Sequence, residues 1–288
     1  MGLMTQLAAQ PGQPPIHTAS PQVQVLDSAF LIPQLGLKRR ICIYLPPDYA
    51  QTRHRYPVLY LLDGQNLFDA AIAHSGEWGI DESLDSMFAH GDPGCIVVAI
   101  DHAGRNRPRE YRPYPSALAP TDPCCAADSM AAFIAMTLKP YVDAHYRTRR
   151  GLAHTGVGGA STAAYFAQHL LHRYPHIFGR AMLFSPSYLH AERFYDDARA
   201  ARLPRATQIY IVTGTQESAL GLPPGLYALA TERMRDTLLA SGRRLDQTLS
   251  AQLRPDGAHA EWFWRREFPL AYRWLYDRRH GKSSPKAR

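Results

Sequence analysis

Val157-Gly158-Gly159-Ala160-Ser161-Thr162-Ala163-Ala164 is the stretch that decides how this chain folds. The residues leading into it, 152–157, form a short apolar run that predicts a strand. The residues after it, Tyr165-Phe166-Ala167-Gln168-His169-Leu170-Leu171, predict a helix. A serine between glycine-rich strand and helix sits on a sharp turn that lifts its hydroxyl clear of the sheet. The backbone N–H of the following residue, Thr162, then lies at a helix N-terminus, where it can stabilise an oxyanion. Without further partners, the same string fits an ordinary serine N-cap equally well.

Two further residues give the turn a chemical context. Glu217 follows a predicted strand at 209–212, and His259 lies in a glycine-containing loop between a strand at 248–253 and a helix at 262–276. Serine, acid, histidine is the chain order of the α/β-hydrolase triad. A serine hydroxyl is a weak nucleophile and needs an adjacent base, here His259. A carboxylate behind the imidazole, here Glu217, fixes its tautomer. Asp256 is a rival acid, but it stands only three residues from His259, too close along the chain to support the ring from behind. The second oxyanion donor is expected from the turn after an earlier strand, Asp63-Gly64-Gln65-Asn66, with the N–H of Gln65 as candidate.

The remaining pattern predicts strands at 23–32 and 38–45 joined as an antiparallel hairpin, then buried strands at 58–62 and 95–100 with a helix at 81–88 between them. Residues 101–120 read as a long loop. Residues 129–146 read as a helix broken at Pro140, 181–184 as a strand, 187–204 as an irregular to helical segment suited to a lid, and 226–241 as a helix. Strands alternating with helices predict a three-layer α/β fold, mostly parallel, with an N-terminal antiparallel hairpin. Chemistry in such sheets lies at the carboxyl ends of the strands, which is where Ser161, Glu217 and His259 fall. The expected organisation is a flexible segment over 1–21, one domain over 22–277 and a basic disordered tail over 278–288.

The bulk properties exclude more than they assign. The 288 residues carry a net charge of +7, and five of those positive charges lie in 278–288, where there is no acid. The rest is close to neutral, so no nucleic-acid partner is expected. No apolar run approaches the roughly 20 residues of a membrane helix, and residues 1–15 do not form a secretory signal, so a cytoplasmic protein with no membrane partner is expected. Cys42 and Cys95 lie in apolar runs; Cys124 and Cys125 are neighbours in a loop. Their spacing is not that of a zinc site, all four are expected as free thiols, and neither a metal nor an organic cofactor is required. A homo-oligomer is compatible with the sequence.

From about Arg39 to Tyr276 the chain resembles the putative-esterase branch of the α/β-hydrolases, which includes enterochelin esterase-like and feruloyl esterase-like proteins. The matching segments are Asp63-Gly64-Gln65-Asn66-Leu67-Phe68-Asp69, Arg109-Glu110-Tyr111, Leu138-Lys139-Pro140-Tyr141-Val142-Asp143 and Ser185-Pro186-Ser187. The last is Asp256-Gly257 with His259 and Glu261-Trp262-Phe263-Trp264-Arg265-Arg266-Glu267-Phe268-Pro269. The resemblance implies a serine carboxylesterase acting on a small-molecule ester, of siderophore-lactone or aryl type, with Ser161, His259 and Glu217 as its triad. An acyltransferase using the same residues, or a binding protein with a decayed elbow, are the alternatives. The departure is at the elbow, where Ala163 and Ala164 replace the glycines usual in the family. Four arginines follow the strand at 95–100. Arg109 and Glu110, within the family match, are expected to pair structurally, whereas Arg105 and Arg107 are candidates for binding an anionic or phenolic acyl group.

Overall fold

The computed structural model describes residues 16–219 and 221–276. Eight strands form one sheet: β1 (Val23–Ile32), β2 (Leu37–Tyr44), β3 (Val58–Leu62), β4 (Ile96–Ile100), β5 (Thr155–Ala160), β6 (Arg180–Phe184), β7 (Gln208–Gly214) and β8 (Leu249–Arg254). Their order is β1-β2-β4-β3-β5-β6-β7-β8. β1 and β2 pair antiparallel, as do β2 and β4, and every later pairing is parallel. The expected fold class is therefore the observed one.

The strand sequences explain the three layers. β3 and β4 are apolar throughout and fully buried, as parallel strands covered on both faces must be. Their side chains divide by parity: Val58, Tyr60, Leu62, Ile96, Val98 and Ile100 join one core, Leu59, Leu61, Val97 and Ala99 the other. The first core is closed by α3 (Ala127–Phe133), α5 (Thr162–Arg173), α6 (Arg193–Ala200) and α7 (Leu226–Ala240). The second is closed by α1 (Ile80–Ala89) and α8 (Glu261–Tyr276).

Four expectations are corrected. The loop at 101–120 contains a short helix, α2 (Arg107–Tyr111), whose second residue is a proline preset for a helix start. The helix at 129–146 is α3, a wide π turn at Ile134–Leu138 and a further helix, α4 (Lys139–His145). Pro140 lies in the first turn of that last segment. It lacks the N–H that the carbonyl of Met136 would bind, and the wide turn just before it absorbs the loss. The segment at 187–204 is no lid: α6 buries Phe194, Tyr195 and Ala198 in the first core. Finally, Cys124 and Cys125 are bonded to each other, adjacent in a loop with no regular element to separate their side chains, while Cys42 and Cys95 are free and buried.

Of the segment expected to be flexible, residues 16–21 are described. His17 and the Thr18 N–H bond Asp69, the Thr18 hydroxyl bonds Glu77, and the Ser20 N–H bonds Asp81. These bonds hold its last residues against the loops of the second core. The basic tail at 278–288 lies outside the described residues. Among the described residues no helix is long and apolar enough to cross a membrane.

Candidate active site

Ser161 stands between β5 and α5 with φ 58° and ψ −126°. A non-glycine residue there costs on the order of 1–3 kcal/mol and persists only where its surroundings over-determine it. They do so through three backbone bonds: Ser161 N–H donates to Phe184 at 2.9 Å, and its carbonyl accepts from Tyr165 at 3.1 Å and Ser187 at 3.2 Å. The alanines of the elbow are accommodated by glycine on the strand. Ala163 and Ala164 are wholly buried, and a Cβ on Gly159 would fall 2.8 Å from the Ala163 methyl. The methyl gained on the helix occupies the space the strand leaves.

Glu217 and His259 come from loops that follow neighbouring strands. Gly214, the last residue of β7, lies so close to Gly257 that a Cβ on it would meet the Gly257 carbonyl oxygen at 2.1 Å. This contact draws the two loops together, and His259 Nδ1 lies 3.0 Å from Glu217 Oε2. The other carboxylate oxygen accepts from the Ser185 hydroxyl and the Gly214 N–H, both at 2.6 Å. Glu217 is fully buried. Trp264 donates its indole N–H to the Ser185 oxygen at 2.8 Å and sets its ring edge-on to His259, and Tyr227 packs on the imidazole from another side. Asp256, the rival acid, is exposed and forked onto Arg266.

Ser161 and His259 line one cavity of about 310 Å³, together with Asp63, Asn66, Trp78, His102, Arg107, Glu261 and Trp264. The Ser161 hydroxyl pairs with the Ser187 hydroxyl at 3.1 Å. Thr162 opens α5, and the N–H groups of a helix's first turn have no partner within the helix. Gln65 lies in the 3₁₀ turn Gly64–Asn66 after β3, its side chain turned to the His102 N–H. Gly64 is required there, since a Cβ would meet the backbone of Ala99 and Ile100 at 2.9 Å. Thr162 and Gln65 are not in the cavity wall, but their neighbours Ser161 and Asn66 are.

The arginines divide. Arg107 is in the wall, but its guanidinium is forked onto Asp63 at 2.8 and 2.7 Å and also reaches the Ala160 carbonyl. Arg105 is exposed and outside the wall. Glu110 is fully buried and pairs with Arg39 of β2 at 2.7 Å, not with Arg109. Burial pushes its carboxyl up, against the pull of Arg39. Burial also holds the His102 imidazole below its ordinary value. Away from the wall, Glu77, Asp81 and Glu82 bring carboxylate oxygens within 4.8 Å of one another, with Arg265 against Glu77 and Glu82.

Sequence reasoning missed Ser185, Ser187, Tyr227 and Trp264 as parts of this site. The signals were the run Ser185-Pro186-Ser187 and the string that holds Trp264, which matched the family without suggesting a task for these residues. Only the return of β6 beside β5 and β7 shows that both its serines face the site.

Comparison with known proteins agrees with this architecture. The putative esterase family matches over residues 32–275. An uncharacterized protein of Bacillus subtilis (strain 168), YbbA, is 24% identical over 245 residues, spanning 83% of this chain and 93% of YbbA. Among solved structures, the IroE-like serine hydrolase from Shewanella oneidensis is similar with a TM-score of 0.65 at 20% identity, over 89% of this chain and 78% of that one. The enterobactin esterase FES from Shigella flexneri is similar with a TM-score of 0.68 at 18% identity, over 90% of this chain and 60% of that one. The BES protein from Bacillus cereus gives 0.70 at 17% identity, over 94% and 98%. The chain belongs to the putative esterase family and is a carboxylic-ester hydrolase of the α/β-hydrolase fold.

Proposed function

We propose that the chain hydrolyses a small-molecule ester through an acyl-enzyme on Ser161, with His259 as base and Glu217 as orienting acid. The observation that carries this is the buried Glu217 carboxylate bonded to His259 Nδ1, with His259 and Ser161 in the wall of one cavity. Nδ1 then carries the proton, leaving Nε2 to take one from the Ser161 hydroxyl as its oxygen attacks the ester carbonyl. The tetrahedral oxyanion rests on the N–H groups of Thr162 and Gln65. The intermediate collapses, the C–O bond to the alcohol breaks, and His259 returns the proton to the departing alkoxide. Water, deprotonated by His259, then attacks the acyl-enzyme and releases the acid, and the proton returns to Ser161. The Ser187 hydroxyl holds the resting Ser161 hydroxyl and exchanges that bond for one to His259 as substrate enters.

The two tryptophans of the cavity wall and the similarity to an enterobactin esterase and a ferulic acid esterase support an aryl or lactone ester as substrate. The test is hydrolysis of p-nitrophenyl esters from acetyl to octanoyl by wild type and Ser161→Ala. The expected result is a loss in kcat of about 10⁴-fold or more with an unchanged melting temperature. A fluorophosphonate probe should label wild type at Ser161 and leave the variant unlabelled. Equal turnover by the two proteins overturns the reading.

A further inference from the structure

The charges of the cavity wall do not balance. Arg107 is its one guanidinium, and both arms of that fork are committed to Asp63. Glu261, at the start of α8, is the second carboxylate in the wall. Among the described residues it makes no ion pair, and it makes no side-chain hydrogen bond to another residue. Its stem lies over Gly76, where an added Cβ would fall 3.4 Å from the Glu261 Cβ. Burial pushes the Glu261 carboxyl up to about 7; Asp63 adds to the shift and Arg107 opposes it. The same wall includes Trp78 and Trp264, both buried, with ring centroids 5.5 Å apart and planes at 47°. An unpaired carboxylate in a cavity wall attracts a cation by charge. The same carboxylate repels a substrate that carries its own.

We propose that Glu261 is the specificity-determining residue of this cavity, selecting esters that carry a quaternary ammonium or similar cationic group and excluding esters that carry a carboxylate. This rests on the ester-hydrolase reading of Ser161, and it reverses the anion preference that the arginines at 105 and 107 suggested.

The experiment, run at pH 8 so that Glu261 is ionised, compares kcat/KM for acetylthiocholine and its neutral isostere, 3,3-dimethylbutyl thioacetate, and for p-nitrophenyl hemisuccinate and p-nitrophenyl pentanoate. Wild type should favour the cation over its isostere by about tenfold and disfavour the hemisuccinate. Glu261→Gln should bring both ratios close to one, and Glu261→Asp, which keeps the charge, should retain the cation preference. Ratios that Glu261→Gln leaves unchanged overturn the proposal. Calorimetric binding of acetylthiocholine and of the isostere to Ser161→Ala, with and without Glu261→Gln, separates the two readings. A binding ratio that follows Glu261 in a chain that turns over no ester sustains the selectivity and sinks the hydrolase mechanism. Turnover with both ratios blind to Glu261 sinks the selectivity alone.

Discussion

Glu217 accepts from three groups at once: His259 Nδ1, the Ser185 hydroxyl and the Gly214 N–H. Full burial makes that arrangement demanding, since a buried carboxylate left without donors is costly. The carboxylate can meet all three only as an acceptor at both oxygens. Glu217→Gln keeps the shape but turns one of those oxygens into a donor. With Ser185 and Gly214 holding the amide oxygen, the NH₂ faces His259 and forces Nδ1 to accept, so Nε2 carries the proton and can no longer take one from Ser161. The expected result is a fall in kcat of about 10³–10⁴-fold with fluorophosphonate labelling slowed in parallel. Steady-state kinetics with a melting curve on the same preparation check it, and near-normal turnover would remove Glu217 from the mechanism. The sequence made this residue legible through its position after a strand. It did not reveal Ser185, because a serine at a strand end has no periodicity to betray what it bonds.

The elements place these side chains through close backbone approaches. The Gly214–Gly257 contact joins the loop after β7 to the loop after β8, and neither position has room for a methyl group. Gly214→Ala must push the loops apart by more than a side-chain adjustment absorbs, moving Glu217 and His259 relative to each other. A displacement near 1 Å costs about 10²-fold in rate, so kcat/KM should fall by at least that factor with a lowered melting temperature. Wild-type kcat/KM in a folded Gly214→Ala protein would show that this contact does not set the geometry. At this scale the sequence read well where apolar runs were short and bounded, as in β3 and β4, whereas the strand expected at 152–157 is β5 at Thr155–Ala160, preceded by a 3₁₀ turn at Leu152–His154. It read poorly where a helix began from tertiary packing: α6 is held by Phe194, Tyr195 and Ala198 in a core whose other members come from distant strands, and no local pattern marks that.

Across the whole molecule, the segment at 16–21 and α1 meet over a group of acids. Asp81 is wholly buried, accepts from the Ser20 N–H, and adjoins Glu82. Burial, with the neighbouring Glu82 carboxylate, raises its carboxyl to about 7 from an ordinary value of 3.8. Burial likewise raises Glu77. The folded chain therefore holds protons that the unfolded chain releases, so stability falls as pH rises from about 4 to about 7, where the folded group finally ionises. The melting temperature should drop over that interval in wild type. The drop should be smaller in Asp81→Asn, which accepts from Ser20 without a charge to ionise. Scanning calorimetry at pH 5 and pH 8 on both proteins checks this, and parallel pH profiles would show that Asp81 does not titrate in that range.

The order serine, acid, histidine, the alternation of strand with helix and the glycine-rich elbow are local or nearest-neighbour properties. Side-chain volume and backbone freedom at each position express them, so the sequence alone determined the fold class and the candidates Ser161, Glu217 and His259. Tertiary structure decided what depends on the approach of distant segments. It spent Arg107 on Asp63, paired Glu110 with Arg39 and packed α6 into the core. It also left Glu261 in the cavity wall without an ion pair. The reason is physical: an arginine's chemistry depends on the nearest carboxylate in space, and residues 44 apart in the chain, as Asp63 and Arg107 are, become neighbours only when the sheet has formed.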